Sequence, residues 1–504
     1  MEKKFEELRK RCEDMAALGS AGALLGWDQN TYMPSGGAEA RGKTLAVISE
    51  LAHHQLTCKE TGALIADLHD WAQAKGHDSF EGSFLRALKR SYDQEVKIPA
   101  ELVKELSLAT TAAFEAWHKA RAASDFAMFA PHLEKVAELN LRKAEALGFK
   151  NSPYDALLDL YDAGMAREKL DAIFAELTAG LKPVIKAINE RADKVSNAPF
   201  KGDFAPETQL KLSLEIAKAL GYDLTRGRQD LSAHPFSSGI SSPDDARITT
   251  RALRDWLPAC VYASIHETGH ALYEQGFPKE FAFTPLAGAA SLGMHESQSR
   301  FWENLIGRSR PFAAWALPLY RKHFPGKFDS CTPEDIYRAA NRSEASLIRV
   351  EADEVTYNLH IALRYEIETQ LLDGSLKVKD APELWNAKMQ EYLGVKPAKD
   401  SEGILQDVHW GFGMIGYFPS YTVGNLISAQ LHAAARKDLP GMDGLIAKGD
   451  FAPILAWLRA KVHTQGAKYK PEELLQRAIG EELSVAPFVN YIKTKYSELY
   501  GFKA

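Results

Sequence analysis

The chain has 504 residues, of which 45% are hydrophobic and 25% are charged, and its formal net charge is −6. These fractions are ordinary for a globular protein, and the length allows a large core in one unit or in two or three lobes. No basic run of five or more residues occurs, which argues against nucleic acid or an anionic membrane as a partner. Four widely spaced cysteines without a Cys-x-x-Cys pair indicate a reducing compartment rather than a disulfide framework.

The N-terminal residues predict an amphipathic helix, because Phe5, Leu8, Cys12 and Met15 recur at helical spacing. Acidic residues are mixed with basic ones here, unlike the positively charged start of a signal peptide. No stretch approaches the ~18–20 uninterrupted apolar residues of a membrane span. We therefore expect a cytoplasmic protein that has no membrane partner.

Helical periodicity dominates the rest of the chain, and a turn between helices is expected at 33–37. The clearest further helices are predicted at 102–124, 128–148, 167–195, 206–221, 333–373 and 473–498. Thr332, Pro333 and Asp335 form a start signal for one of them. Residues 233–251 contain two short extended runs around a Ser-Ser-Pro-Asp-Asp turn, which predicts a small hairpin. The predicted fold is mainly α with one small β-sheet.

A helix is also predicted over 258–275, where a proline begins it and a glycine follows it. It contains the segment His266-Glu267-Thr268-Gly269-His270, whose histidines leave the same face one turn apart. This spacing lets both imidazoles reach one tetrahedral metal ion at about 2.0–2.1 Å. Glu267 projects roughly 100° around the helix, where it can accept a proton from a metal-bound water. We interpret the segment as a zinc site for hydrolysis.

A third protein ligand is expected downstream, since catalytic zinc usually has three. Within 291–304, Glu296 is one candidate, and His295, one residue earlier, is the other. Glu296 could instead form a solvated i,i+4 ion pair with Arg300. The spacing alone favours Glu296 only modestly.

Six motifs occur in order along about 180 residues. They are His234-Pro235-Phe236; Asp245-Ala246-Arg247-Ile248-Thr249; the zinc helix; His295-Glu296-Ser297-Gln298; Ile348-Arg349-Val350-Glu351-Ala352-Asp353; and Gly403-Ile404-Leu405-Gln406-Asp407-Val408-His409-Trp410. This set resembles the carboxypeptidase Taq family of thermostable metallocarboxypeptidases, within the zinc peptidases whose third ligand is a glutamate. The segment from Trp27-Asp28-Gln29 through Met33-Pro34 to Arg41 also looks familial, so the resemblance extends over the whole chain.

The resemblance implies an almost entirely helical fold similar to neurolysin and angiotensin-converting enzyme. Two helical lobes would surround a deep cleft, with one small β-sheet next to the zinc helix. Residues 1–504 would form one metallocarboxypeptidase unit, with a mostly helical part (1–230), the zinc and substrate site (231–425) and C-terminal helices (426–504). The resemblance also implies Glu296 as the third metal ligand, and a homodimer.

A carboxypeptidase must bind a free α-carboxylate, and the planar fork of an arginine suits this anion best. Arg349 in the Ile-Arg-Val-Glu-Ala-Asp motif is our candidate, and the resemblance supports it. The alternative is an intrahelical pair between Arg349 and Asp353, in which Asp353 could also orient Arg349 for the substrate.

The oxyanion at the attacked carbonyl needs a donor besides the metal ion, and His409 and Tyr421 are the candidates. The resemblance supports His409, whereas Tyr417, one turn from Tyr421, is the alternative tyrosine. An extended substrate could also pair with the edge of the predicted hairpin. His234 and Arg247 are therefore substrate-binding candidates, the alternatives being a structural histidine and a surface arginine.

These residues together predict a zinc-dependent carboxypeptidase that releases single C-terminal amino acids from peptides, with broad specificity. His266, His270 and Glu296 would hold Zn²⁺, with Co²⁺ or Mn²⁺ as alternative metals. Glu267 would remove a proton from the metal-activated water and pass it to the leaving amine. Two other functions are considered: a zinc endopeptidase or oligopeptidase with the same chemistry, and a non-catalytic helical scaffold that binds zinc.

Overall fold

The computed structural model describes residues 1–503, which form twenty α-helices and one three-stranded β-sheet. The first ten helices are α1 (Glu2–Thr31), α2 (Ala38–Thr57), α3 (Lys59–Ala74), α4 (Phe80–Lys97), α5 (Ala100–Ala123), α6 (Ala130–Leu147), α7 (Pro153–Leu158), α8 (Arg167–Asn189), α9 (Pro206–Ala219) and α10 (Pro258–Glu274). The other ten are α11 (Leu292–Arg300), α12 (Arg310–His323), α13 (Pro333–Ala340), α14 (Tyr357–Asp373), α15 (Ala381–Leu393), α16 (Pro419–Asp438), α17 (Met442–Lys448), α18 (Ala452–Lys461), α19 (Pro471–Ile479) and α20 (Ala486–Tyr500). None of the helices described has the length and apolar composition needed to cross a membrane.

The mainly α prediction is confirmed, and helices α1, α5, α6, α9 and α10 lie where the periodicity predicted them. Helix α8 also forms, although it ends at Asn189 rather than near 195. The single helix predicted over 473–498 is wrong, because α19 and α20 are separate. Gly480 adopts a left-handed conformation with φ 76° after α19, and a proline stands in the first turn of α20.

The single helix predicted over 333–373 is also wrong. Its start at Thr332 is confirmed, since the Asp335 N–H donates to the threonine hydroxyl at 3.2 Å. Helix α13 nevertheless ends at Ala340, and α14 begins only at Tyr357. The half-buried Asp353 carboxylate accounts for the break, because it accepts hydrogen bonds from side chains and backbone N–H groups on both sides. These donors are Ser343 Oγ, Glu344 N, Val355 N, Thr356 N and Thr356 Oγ1. Such local bonds compete with those of a continuous helix.

The β-sheet contains strands β1 (Gln229–Leu231), β2 (Ser237–Gly239) and β3 (Ala246–Thr250), in the order β1-β3-β2. Strands β2 and β3 are antiparallel, with Ser238 opposite Arg247, which confirms the predicted hairpin. Strand β1 is parallel to β3 and was not predicted, because three residues carry too little alternation to be recognised. Helix α10 is held to β3 by Ser264, whose hydroxyl donates to Thr250 Oγ1 at 2.9 Å.

The contacts divide the chain into two compact units. The first unit comprises Met1–Val96, Asn197–Ala340 and Leu431–Glu482. Part of its core forms where Phe5, Leu8 and Cys12 of α1 pack with apolar residues of α3 and α4, as the helical spacing predicted. Helix α10 is largely buried in this unit, and it packs against α9, α11 and the sheet.

The second unit comprises Lys97–Ser196, Asn341–Gln430 and the described residues from Leu483 onward. Its helix α14 is buried on most sides and carries polar as well as apolar residues inward. The C-terminal helix α20 is tied to this unit through the buried Glu354. That carboxylate accepts from Lys495 Nζ at 2.6 Å and from the Tyr496 hydroxyl at 3.0 Å.

Candidate metal centre and arginine cluster

Helix α10 presents His266 and His270 one turn apart, with ring centroids separated by 4.9 Å. Gly269 between them allows α11 to approach closely. A Cβ atom at this position would lie 2.6 Å from Gln298 O and 2.7 Å from Ser299 Cα. The glycine of this segment is therefore required by packing rather than by backbone conformation, and it determines how near α11 comes to the two histidines.

Helix α11 brings Glu296 to the two imidazoles. Its Oε2 lies 3.5 Å from His266 Nε2 and 3.4 Å from His270 Nε2, and the three donor atoms lie within 4.8 Å of one another. Tetrahedral coordination with bonds of about 2.0–2.1 Å requires ligand atoms separated by about 3.3–3.4 Å. The donor set and its spacing therefore fit a zinc ion.

The Glu296 carboxylate has further partners that hold it in place. Arg300 Nε donates to Oε1 at 2.6 Å, and Ser299 Oγ donates to Oε2 at 3.1 Å. The expected Glu296–Arg300 pair thus forms, but it is buried rather than solvated. Burial raises the pKa of Glu296, yet the charges of Arg300 and His266 outweigh it, so the pKa lies well below its usual value. Glu296 is therefore present as the carboxylate that a metal ion requires.

His266 has a carboxylate partner on its other ring nitrogen. Its Nδ1 lies 2.9 Å from Glu303 Oε2, and Arg308 Nη2 donates to the second oxygen of Glu303 at 2.9 Å. A proton on Nδ1 leaves the lone pair of Nε2 for a metal ion. Glu303 lies in the π-helix Phe301–Gly307, all of whose residues are buried. The sequence did not predict this contact, because a π-helix shifts the register of its side chains.

Glu267 lies in the same helix as the two histidines and is only 6% exposed. Burial raises the pKa of Glu267 to about 7, against the opposing charge of His266. A carboxyl group with this proton affinity can both accept and donate a proton near neutral pH.

His295, the alternative third ligand, is turned toward another partner. Its Nε2 lies 3.0 Å from Glu274 Oε1, and its ring stacks on His270 with centroids 4.3 Å apart. The group of possible ligands contains Glu296 and not His295. His295 therefore packs against a histidine of the candidate metal centre without belonging to it.

Arg349 lies in the second unit, in the 3-10 turn Arg349–Glu351, and is 5% exposed. The alternative, an intrahelical pair with Asp353, does not form, since the Asp353 carboxylate accepts hydrogen bonds at the break between α13 and α14. Arg349 Nε and Nη2 donate instead to Asp407 Oδ1 at 3.1 and 2.7 Å. Its Nη1 donates to the Tyr357 hydroxyl at 2.9 Å. Within residues 1–503, these bonds use three of the five N–H groups of the Arg349 guanidinium. The other two can donate to a bound anion.

Asp407 is shared by a second buried arginine. Arg364 of α14 donates to Asp407 Oδ2 from Nε at 2.7 Å and from Nη2 at 2.5 Å. Burial raises the pKa of Asp407, but the two guanidinium groups outweigh this and hold it well below its usual value. Two arginines on one carboxylate carry one excess positive charge. This three-residue arrangement, the arginine cluster, is suited to binding a carboxylate.

His409 and Tyr421 are brought together in the second unit, with His409 Nε2 3.2 Å from the Tyr421 hydroxyl. The Tyr421 ring also lies under Arg349, whose Cζ is 5.0 Å from its centroid. Tyr417 packs edge-to-face against Tyr161 and touches the His409 ring, with centroids 5.2 and 5.4 Å apart. Of the two tyrosines considered, Tyr421 is therefore the one placed at both His409 and Arg349.

His234 precedes strand β2, and Arg247 lies in strand β3, both in the first unit. His234 is exposed, and its Nδ1 lies 2.8 Å from Pro235 O. Arg247 donates to both oxygens of Asp245 at 2.8 Å, and its guanidinium lies over the Trp27 ring. Within residues 1–503, no hydrogen bond or ion pair joins either residue to the candidate metal ligands.

A ligand set of two histidines and one glutamate is characteristic of catalytic zinc in peptidases, so the site defines a metallopeptidase. Comparison with family models agrees: residues 7–496 match the carboxypeptidase Taq (M32) metallopeptidase family. The chain belongs to this family.

Curated relatives match over nearly their whole length. The chain is 42% identical to thermostable carboxypeptidase 1 of Pyrococcus furiosus, covering 95% of this chain and 96% of the relative. It is 41% identical to thermostable carboxypeptidase 1 of Thermus thermophilus, covering 99% of each. Among solved structures, the M32 carboxypeptidase from Deinococcus radiodurans superposes with a TM-score of 0.95 at 39% identity, covering 99% of this chain and 100% of that one.

Proposed function

We propose that this protein is a zinc-dependent carboxypeptidase of the HExxH type, which releases single C-terminal amino acids from peptides with broad specificity. The observation that carries the proposal is the convergence of His266, His270 and Glu296 around one point, with Glu267 on the same helix, in a chain of this family. The carboxypeptidase names of the full-length relatives support the same reaction.

His266 Nε2, His270 Nε2 and Glu296 Oε2 would hold the metal ion, because their chemistry and separations suit tetrahedral zinc. Co²⁺ and Mn²⁺ also accept nitrogen and oxygen ligands, so they are the alternative metals. When bound, zinc supplies a Lewis acid for the scissile carbonyl and a water of lowered pKa. Glu303 fixes the tautomer of His266 that this role requires.

Glu267 acts as the general base. A carboxylate oxygen of Glu267 takes a proton from the attacking water and later delivers it to the nitrogen of the departing amino acid. Burial raises the pKa of Glu267 above its usual value, which favours the uptake of this proton.

Arg349 binds the α-carboxylate of the substrate. Its support is chemical: the arginine cluster has one excess positive charge, and Arg349 keeps two N–H groups for a further acceptor. Because Asp407 fixes the guanidinium before any substrate arrives, little side-chain entropy is lost on binding. A requirement for this carboxylate would restrict cleavage to the last peptide bond.

His409 or Tyr421 donates a hydrogen bond to the oxyanion formed at the attacked carbonyl. The 3.2 Å contact between His409 Nε2 and the Tyr421 hydroxyl supports their acting as a pair, since each can orient the other. His234 and Arg247 are assigned to substrate binding, since β2 is an edge strand that an extended peptide could join, His234 precedes it and Arg247 lies opposite its Ser238.

The experiment that tests this function is a time course of amino acids released from an unblocked peptide and from the same peptide with an amidated C-terminus. The proposal predicts sequential release of single residues from the free peptide, almost none from the amidated one, and loss of activity after chelation that zinc restores. Internal fragments from both peptides would identify an endopeptidase instead. A series of peptides with different C-terminal residues measures the breadth of specificity.

A further inference from the structure

Glu368 is a buried carboxylate of α14 that the proposed reaction does not use. It has no solvent exposure and accepts three hydrogen bonds. Trp410 Nε1 donates to Oε1 at 2.8 Å, while the Tyr154 hydroxyl and the backbone N–H of Gly416 donate to Oε2 at 2.8 and 3.1 Å. Two of these donors lie in one irregular segment, 409–416, which carries His409 at its start.

This segment has little regular structure to hold it. It begins with the 3-10 turn His409–Phe412 and continues through Gly413 and Gly416, which have φ angles of 72° and 88°. Two backbone bonds close it internally, from Gly413 N to Trp410 O and from Met414 N to His409 O, each at 3.0 Å. An irregular segment of this kind depends on side-chain partners for its position.

We propose that Glu368 is a positioning residue for His409. Its carboxylate binds Trp410, which follows His409, and also the N–H of Gly416 at the end of the segment. The inference deepens the proposed function and rests on the oxyanion role of His409. On the other side of His409, Asp407 is fixed by Arg349 and Arg364. Along the chain, His409 therefore stands between Asp407, which the two arginines hold, and Trp410, which Glu368 holds.

The chemistry requires a carboxylate at this position. Three donors converge on two oxygens, and only an acceptor-only group satisfies them all. A glutamine would offer one oxygen and one NH₂ group. The NH₂ group would then face Trp410 Nε1 or the Gly416 N–H, neither of which can accept, so a buried donor would be left unpaired.

The test compares Glu368→Gln with Glu366→Gln, a control on the same helix whose partners are Lys388 and Tyr392. Using the zinc-loaded protein and an unblocked peptide, we expect Glu368→Gln to lower kcat about 10- to 100-fold. KM should change by no more than about 3-fold, because Arg349 still binds the substrate. The control should keep kcat within about 2-fold. An unchanged kcat in Glu368→Gln would overturn the inference.

A double-mutant comparison separates positioning from a general structural effect. If Glu368 acts through His409, adding Glu368→Gln to His409→Ala should change kcat by less than about 3-fold. An equal loss in both backgrounds would mean that Glu368 acts elsewhere and would overturn the inference. Trp410→Phe removes one of the three donors and keeps an aromatic ring at this position, and it should show the same dependence on His409 even if Glu368→Gln fails to fold.

Hydrogen exchange distinguishes failure of this inference from failure of the proposed function. If His409→Ala keeps the wild-type kcat, the oxyanion role of His409 is wrong. The hydrogen-exchange rates of amides 408–418 then test whether Glu368 holds this segment in place. Faster exchange in Glu368→Gln or Trp410→Phe, but not in Glu366→Gln, supports it. Unchanged protection in these variants overturns it.

Discussion

His266 and Glu303 form a histidine–carboxylate pair, with Nδ1 of the imidazole 2.9 Å from Oε2 of the acid. The contact joins α10 to the π-helix that continues α11, so the element that supplies Glu296 also orients His266. Two side chains from one continuous stretch of chain thus determine most of the geometry of the candidate metal centre.

Glu303→Gln should weaken zinc binding about 10- to 100-fold, because a carboxylate partner orients the imidazole and raises its basicity. The measurement is a competition titration of the metal-depleted protein against a chromophoric chelator. Glu334→Gln is a suitable control, since that glutamate pairs with Arg310 at an exposed position. An affinity in Glu303→Gln equal to that of the wild type would contradict the role assigned to Glu303.

Gly269→Ala should destabilise the fold and weaken metal binding together. The added Cβ would stand 2.6 Å from Gln298 O, so α11 would have to move, and Glu296 with it. Overpacking of this kind costs about 1–3 kcal/mol of unfolding free energy. Gly26→Ala in α1 is the matched control, because a Cβ there meets nothing within 4 Å and alanine favours the helix. Chemical unfolding and zinc titration of both variants measure the two effects. A wild-type zinc affinity in Gly269→Ala would contradict the role of Gly269 in placing Glu296.

Asp407→Asn should lower the free energy of unfolding by about 3–5 kcal/mol at neutral pH, because two buried arginines lose their shared carboxylate. The pKa of Asp407 is depressed in the folded protein. Its stabilisation is therefore fully present above the unfolded value of about 3.9 and is lost as the pH falls below it. The difference between variant and wild type should be constant above about pH 5 and shrink below about pH 4. Unfolding curves across this range measure it, and a constant difference down to pH 2 would argue against the assignment.

Arg349→Gln should lower kcat/KM for a peptide with a free C-terminus about 10- to 150-fold, the loss expected for charged hydrogen bonds to the substrate. The fold should tolerate this change, since Asp407 keeps its two bonds from Arg364. The amidated peptide serves as the internal control, because it lacks the carboxylate that Arg349 binds. If the substitution slows both peptides by the same factor, Arg349 has another role.

The sequence was sufficient for the local features of the site. The i,i+4 spacing of His266 and His270 predicted a shared helix face, and the hairpin before α10 followed from its turn residues. The spacing left the choice between Glu296 and His295 open. The family resemblance favoured Glu296, which the geometry of the possible ligands matches.

The site features that the sequence did not predict depend on contacts between distant residues, or on side chains that compete with the backbone for hydrogen bonds. The alternative pairing of Arg349 with Asp353 required a continuous helix. Asp353 instead breaks that helix, and the partner of Arg349 is Asp407, 58 residues after it. Glu303 and Glu368 carried no motif of their own. Only the π-helix turns Glu303 toward His266, and only packing of the second unit brings Trp410 to Glu368.

Glu267→Gln tests the central claim most directly, because the change removes the proton acceptor and leaves the three metal ligands unaltered. Bound zinc and the release of C-terminal amino acids from an unblocked peptide should be measured on the same preparation. We predict that zinc content matches the wild type while kcat falls about 10²- to 10⁴-fold. A variant that keeps its zinc and hydrolyses the peptide at the wild-type rate would contradict the account.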